Sequence, residues 1–174
     1  MDVFQLRDKK GSDRSIIDFI RKALRTIKGR CPFLINDRVD LALASRCDGV
    51  HLGQEDLPVA TARQMLGPRA IIGVSCQDLK AVDEANKAGA DYIGFGSVFK
   101  TATKPERSEM DLNLLKKAAA RSSIPLFAIG GITLENLGLV KAAGVKRIAV
   151  CRAICLADDD FLAAKKFQQI LNSP

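Results

Sequence analysis

Tryptophan is absent from this 174-residue chain, tyrosine and histidine occur once each, and aromatic residues make up only 5% of it. With so few rings, no aromatic residues are interleaved among the basic stretches for base stacking. That argues against a nucleic-acid surface despite a net charge of +7. One histidine and five cysteines (31, 47, 76, 151 and 155) without a Cys-x-x-Cys pair make no convincing zinc set. Cys151 and Cys155 are four apart but fall in an apparent strand and its exit, where that spacing does not align side chains. All five therefore read as reduced thiols. No apolar run approaches the roughly 20 residues a membrane span needs. The first residues, Met1-Asp2-Val3-Phe4-Gln5-Leu6-Arg7, lack a basic lead followed by an apolar stretch. These absences predict a cytoplasmic protein with neither nucleic acid nor membrane as partner. No linker or low-complexity segment interrupts the chain, so 1–174 reads as a single domain.

What the chain does hold is aliphatic. Of its residues 47% are hydrophobic, mostly Ala, Ile, Leu and Val, which suits helices packed on a buried sheet. Short apolar runs predict strands at 3–8, 32–36, 49–53, 70–75, 91–98, 125–130 and 147–152. Between them, three-and-four spacing predicts helices at 13–29, 38–46, 57–66, 77–89, 112–121, 134–143 and 159–171. The basic stretch Arg21 to Lys28 reads as the solvated face of the first of these helices. Gly67, Gly89 and Gly144 stand near helix ends as stop signals, and Asp-Gly or Gly-Ala-Asp often precedes a strand.

Seven strand-helix units of about 25 residues predict an α/β chain with parallel crossovers. Polar groups gather at the same end of successive strands: Gln5, Arg7 and Lys9; Asn36 and Asp37; His51 to Asp56; Ser75; Gly96 to Pro105; Gly130-Gly131. That is a TIM (β/α)8-type barrel active site in one dimension. Such barrels take eight strands and typically about 200 or more residues, and often bind phosphate after strands seven and eight. The phosphate-like turn here follows the sixth visible strand, so the seven units read as the second to eighth, with the first apparently missing. Two strand edges would then be left unpaired, and a homo-oligomer is one way to cover them.

The candidate site residues each allow two readings. Gln5, Arg7 and Lys9 at i, i+2 and i+4 share one strand face, as a phosphate clamp or as a solvent-facing edge. Asp37 and Asp56 each precede a helix and are either N-caps or a carboxylate pair for Mg²⁺. Ser75 is an N-cap or a phosphate ligand. Residues 99–111 form a long loop, in which Thr101, Thr103 and Lys104 could close over an anion. Gly130-Gly131 permits close approach of a phosphate, although a plain turn needs only one glycine. His51 reads as packing in its strand.

At these residues the chain resembles the thiamine-phosphate synthase family. The matching blocks are Gln5 to Lys9, Leu34 to Asp40, Asp48 to Asp56, Ile72 to Ser75, Gly89 to Gly96, Thr101 to Lys104 and Ala128 to Ile132. The resemblance implies a transferase that condenses an aminopyrimidine methyl diphosphate with a thiazole phosphate, giving thiamine phosphate and pyrophosphate. It implies that Gln5, Arg7, Lys9, Asn36 and Lys104 hold the pyrimidine diphosphate, and that Asp37 and Asp56 hold Mg²⁺. Ser75 would touch the pyrimidine or its departing group, and Thr101 and Thr103 would border the thiazole. Gly131 and the backbone near Cys151 and Arg152 would bind the thiazole phosphate. The family's dissociative chemistry also explains why no nucleophile or general base stands out. A related thiazole tautomerase, or a phosphate-ligand binder built on an incomplete barrel, are the alternative readings.

Overall fold

The structure, a computed structural model, describes residues 2–102 and 109–173. Thr103 and Lys104 lie outside the described residues. The chain divides into two compact units, Met1–Val74 with Ala88–Asp91 and Ser75–Lys87 with Tyr92–Pro174.

In the first unit, strand β1 (Phe4–Leu6) leads to helix α1 (Asp13–Ile27), β2 (Phe33–Asn36), α2 (Val39–Ser45), β3 (Gly49–Leu52), α3 (Val59–Leu66) and β4 (Ile71–Cys76), whose last two residues belong to the second unit. Neighbouring strands pair in parallel and in chain order, with Gln5 opposite Leu34, Asn36 opposite His51 and Val50 opposite Ile72. Phe33, Leu34, Val50, Leu52 and Ile72 are fully buried, as expected of strands covered on both faces. Helix α1 turns Ile16 and Ile20 inward and leaves its basic face to solvent.

The aspartates that precede strands have a structural task. Asp48 and Asp91 each accept a backbone N–H at or near the start of an earlier strand, Phe33 at 2.7 Å and Ile72 at 2.7 Å. Each also donates its own N–H to the carbonyl of that same residue, at 3.1 Å and 2.8 Å. Arg63 of α3 then holds the Asp91 carboxylate at 2.7 Å. An acid at that point closes backbone groups that the end of a parallel ladder would otherwise leave open.

The second unit runs through α4 (Leu79–Ala88, of which Ala88 belongs to the first unit), β5 (Tyr92–Phe95), α5 (Leu112–Arg121), β6 (Leu126–Ile129), α6 (Leu137–Ala142), β7 (Ile148–Ala149), α7 (Arg152–Cys155) and α8 (Asp160–Asn172). β5 pairs with β6 and β6 with β7, again in parallel. Ile93, Phe95, Leu115, Ala128 and Leu137 fill the core. Helix starts follow sequence chemistry: Asp111 accepts the Asn113 amide at 2.8 Å and Asp159 accepts that of Leu162 at 2.8 Å.

All seven expected strand-helix units are present, most with ends shifted by a residue or more, and two of the shifts are marked. β5 stops at Phe95 instead of 98, because Gly96, Ser97 and Val98 leave the ladder: the Gly96 amide bonds the Cys76 carbonyl and that of Val98 bonds Ile129. The run 147–152 yields a two-residue strand, and helix α7 begins where the strand was expected to continue.

Candidate active site

In the first unit, three strand ends converge on Asp37. The Lys9 ammonium lies 3.0 Å from its carboxylate. The Asp56 carboxyl is in hydrogen-bond contact with it, and the charge of Arg7 reaches it as well. Asp37 holds a left-handed backbone conformation, φ 65°, just after β2. For a residue with a Cβ that costs on the order of 1–2 kcal/mol, less for aspartate than for most. Its amide is fixed to the His51 carbonyl at 2.8 Å. The strained turn lifts the carboxylate out of line with the following helix and toward Lys9.

Neither aspartate is a helix cap. The caps of α2 and α3 are Arg38 and Pro58, without side-chain capping bonds. Asp56 instead accepts the Gly53 amide at 2.6 Å, folding the loop after β3 back on itself. Beside the cluster, Arg38 binds Asp13 at 2.9 Å and Asp40 at 2.6 Å, tying α1 to α2. Sequence reading had no means of pairing Arg38 with Asp13, since that contact spans 25 residues.

The two carboxyls are shifted in opposite directions. Burial pushes Asp37 up, but the hydrogen bonds with Lys9 and Asp56 and the charges of Lys9 and Arg7 outweigh it, so the net direction is down. Burial pushes Asp56 up, the Gly53 amide pulls it down, and the bond to Asp37 and its charge push it up again; the net direction is up.

Gln5, Arg7 and Lys9 are all exposed, but the expected reason for their shared face does not hold. β1 ends at Leu6, and Asp8 accepts the amides of Lys10 at 2.9 Å and Gly11 at 2.8 Å. Lys9 therefore sits in a turn, not at the next strand position, and the turn delivers it to Asp37. Asn36 ends β2 beside this group, and His51 is buried in β3.

After β6 the second unit presents backbone. Gly130 and Gly131 follow β6 with φ of 105° and 61°. A Cβ on Gly130 would strike Ser97, and one on Gly131 would strike the Lys100 carbonyl and Phe99. Both glycines are thus required, because the segment after β5 lies directly against the turn. The Phe99 amide donates to the Gly130 carbonyl at 3.0 Å, and the Ser97 hydroxyl to the Phe99 carbonyl at 2.9 Å.

Asn136 holds the far side: its amide nitrogen donates to the Gly131 carbonyl at 2.9 Å, and its oxygen accepts the Thr133 amide at 2.8 Å. Sequence reading missed Asn136 and Ser97. An asparagine opening the helix after a double glycine was the available signal for the first.

Ser75 lies inside β4, not at a helix start, which removes the N-cap reading. Thr101 is half-buried at the start of the long loop, whose base is tied by the Met110 amide to the Val98 carbonyl at 3.2 Å. Cys151 and Arg152 are exposed where β7 meets α7. There the structure differs from the expected strand: Cys151 caps the short helix and Cys155 ends it, and both are free thiols, as expected. Among the described residues no three His, Cys, Asp or Glu side chains gather as a metal cluster, and no helix is long and apolar enough to cross a membrane.

A family model described as thiamine monophosphate synthase matches residues 1–154. The chain belongs to that family. It is 46% identical over 164 residues to the thiamine-phosphate synthase of Clostridium novyi, a match covering 93% of this chain and 80% of that one. To the thiamine-phosphate synthase of Synechococcus sp. strain CC9311 it is 43% identical over 173 residues, covering 98% of this chain and 49% of that one. The chain thus spans about half the length of several of the curated relatives it matches.

Among solved structures, a thiamine phosphate pyrophosphorylase from Pyrococcus furiosus superposes with a TM-score of 0.89 at 36% identity, covering 97% of this chain and 82% of that one. A 3-hexulose-6-phosphate synthase at 18% identity and a TM-score of 0.71 shares the fold alone. The fold is α/β and TIM-barrel-like, as the repeating units predicted.

Proposed function

We propose that this member of the thiamine monophosphate synthase family carries the synthase reaction itself. It would condense 4-amino-2-methyl-5-hydroxymethylpyrimidine diphosphate with 4-methyl-5-(2-phosphoethyl)thiazole to give thiamine phosphate and pyrophosphate. The observation that carries the reading is the group formed by Arg7, Lys9, Asp37 and Asp56 at the strand ends of the first unit. A thiazole tautomerase has no diphosphate to hold and no use for that combination of paired cations and paired carboxylates.

The donor set fits Mg²⁺. That ion takes one or two carboxylates and completes its shell with water and substrate phosphate oxygens. Two neighbouring carboxyls, with cations beside them to meet a phosphate, would supply the protein's part of such a shell. Bound there, the ion would neutralise charge on the diphosphate.

The chain's own residues do the rest. Arg7 offers a planar fork and Lys9 a point charge to the diphosphate oxygens, with Gln5 and Asn36 beside them. As the methylene C–O bond breaks, its electron pair leaves with pyrophosphate, and these groups meet the charge that develops. The electron-rich pyrimidine stabilises the methylene cation until the thiazole nitrogen donates its lone pair and closes the C–N bond. Ser75 would contact the pyrimidine, and Thr101 the thiazole. Thr103 and Lys104 take their roles from the family resemblance alone. The Gly130-Gly131 turn, with the backbone at Cys151 and Arg152, would hold the thiazole phosphate through N–H groups.

The test is thiamine phosphate formation by the purified chain with both substrates, with Mg²⁺ and with a chelator. Product that depends on Mg²⁺ supports the reading. A folded chain that binds pyrophosphate yet forms no product would replace it with a phosphate-ligand binder.

A further inference from the structure

Of the five cysteines, only Cys151 and Cys155 are exposed. The other three are accounted for. Cys47 is hydrogen-bonded to Ser45 at 3.1 Å, and Cys31 is half-buried. Cys76 is buried and donates to the Ala81 carbonyl at 3.3 Å, and burial pushes its thiol up to about 12. A thiol that keeps its proton is a poor nucleophile.

The exposed pair is arranged differently. Cys151 caps α7, and its carbonyl accepts the amides of Ile154 at 3.0 Å and Cys155 at 2.9 Å. One helical turn therefore separates the two residues, roughly 6 Å along the axis. Disulfides span Cα separations of about 4.4–6.8 Å. Burial and the neighbouring Cys151 raise the Cys155 thiol, which suits it to the second, resolving step within a mixed disulfide. Helix α7 has four residues and buries none of them, so it can adjust when the sulfurs draw together.

We propose that Cys151 and Cys155 are a redox-active dithiol, which small-molecule disulfides convert into an intramolecular disulfide across the loop after β7. One thiolate attacks a sulfur of the small disulfide, forming a mixed disulfide and releasing one small thiolate. The second protein thiolate attacks the protein sulfur of that mixed bond and releases the other. Two S–H bonds and one S–S bond are lost, one protein S–S bond and two small thiols are gained, and the two protons pass to the released thiolates.

The consequence for binding rests on the proposed function. The ring would clamp the backbone at Cys151 and Arg152, and hence the amides assigned to the thiazole phosphate.

Trypsin offers a direct test, because it cuts after Arg152, between the two cysteines. The purified chain is equilibrated with oxidised and reduced glutathione, alkylated, digested and weighed. The expected result is a linked pair of peptides, 148–152 and 153–165, that separates on reduction. The Cys155→Ala variant should stop at a glutathione adduct on Cys151. Full alkylation of both residues under oxidising conditions would overturn the proposal, as would glutathione adducts without a link in the unaltered chain. This readout needs no catalysis, so its failure is separate from failure of the synthase reading. In the synthase assay, oxidation should raise KM for the thiazole phosphate several-fold, reversibly and with little change in kcat. A linked chain with unchanged KM would overturn the connection to phosphate binding.

Discussion

The two units present two different kinds of surface at their strand ends. In the first, side chains gather: a lysine, an arginine and two carboxyls whose protonation depends on one another. In the second, the Gly130-Gly131 turn offers bare backbone, shaped by the neighbours that forbid a Cβ at either position. A side-chain site can be dismantled one charge at a time with little effect on the fold. A backbone site can be reached only through shape, so damage to binding and damage to stability arrive together. The first arrangement suits a partner whose charge changes during reaction, the second a phosphate that stays the same throughout.

Arg7→Ala is the sharpest attack on that contrast. Arg7 is exposed and forms no part of the core, so the melting temperature should stay within about a degree or two of the parent, as for surface substitutions generally. Turnover should fall on the order of 10²–10³, the loss typical of one electrostatic partner to a developing charge. Lys9→Ala should behave likewise. The Lys9–Asp37 pair is more than half exposed on the lysine side, and such pairs contribute at most about 1 kcal/mol to folding. Steady-state kinetics beside a thermal melt decides it: parallel loss of rate and melting temperature would show that the cluster holds the fold and not a ligand.

Gly131→Ala should show the opposite balance. Alanine at a φ of 61° costs about 1–2 kcal/mol from the backbone alone, before the collision with the Lys100 carbonyl. For a chain of this size, each kcal/mol lowers the melting temperature by roughly 2–4 °C. KM for the thiazole phosphate should rise together with that loss, while kcat extrapolated to saturation changes less. Asn136→Ala, which removes the two bonds steadying the turn, should do the same more mildly. Two lost hydrogen bonds of ordinary strength cost about 1–3 kcal/mol. A fall in kcat with KM untouched in either variant would place the turn nearer the reacting atoms than proposed.

Much of this was legible in the sequence, and the rest failed for identifiable reasons. The strand-helix alternation was plain because buried parallel strands are continuous apolar runs, and the helices between them keep a wet face. Helix α7 was hidden because four residues with no buried face carry no periodicity. The short β7 had the same effect on the cysteines: read as strand, their spacing separates them, and read as one helical turn it joins them.

Asp37 and Asp56 could be named but not chosen between caps and a carboxylate pair, since spacing says nothing about contact across 19 positions. For the proposed clamp residues, the backbone does not support the shared strand face that the sequence suggested. Period-two alternation ends at Leu6, and the Asp8 turn brings Lys9 round instead. Asn136 escaped because its partners are main-chain atoms, which look alike in any sequence.

The smallest effect is expected where a charge pair in the second unit has no ligand to serve. Arg121 binds Asp83 at 2.6 Å, an arginine-carboxylate contact better formed than that of Lys9 with Asp37. The hydrogen bond from Arg121, assisted by its charge, holds the Asp83 carboxyl below its ordinary value. A depressed carboxylate contributes stability that is fully present above the unfolded value, near 4, and is lost as pH falls through the folded one. Arg121→Leu should therefore leave kcat and both KM values unchanged and lower the melting temperature slightly at neutral pH. The gap between variant and parent should close as the solution is taken below about pH 4, because the parent then loses the same interaction. Thermal melts of both proteins across that range measure it directly. A change in rate comparable to that of Arg7→Ala would mean that charge anywhere on this basic chain affects turnover, and the contrast between the two surfaces would lose its basis.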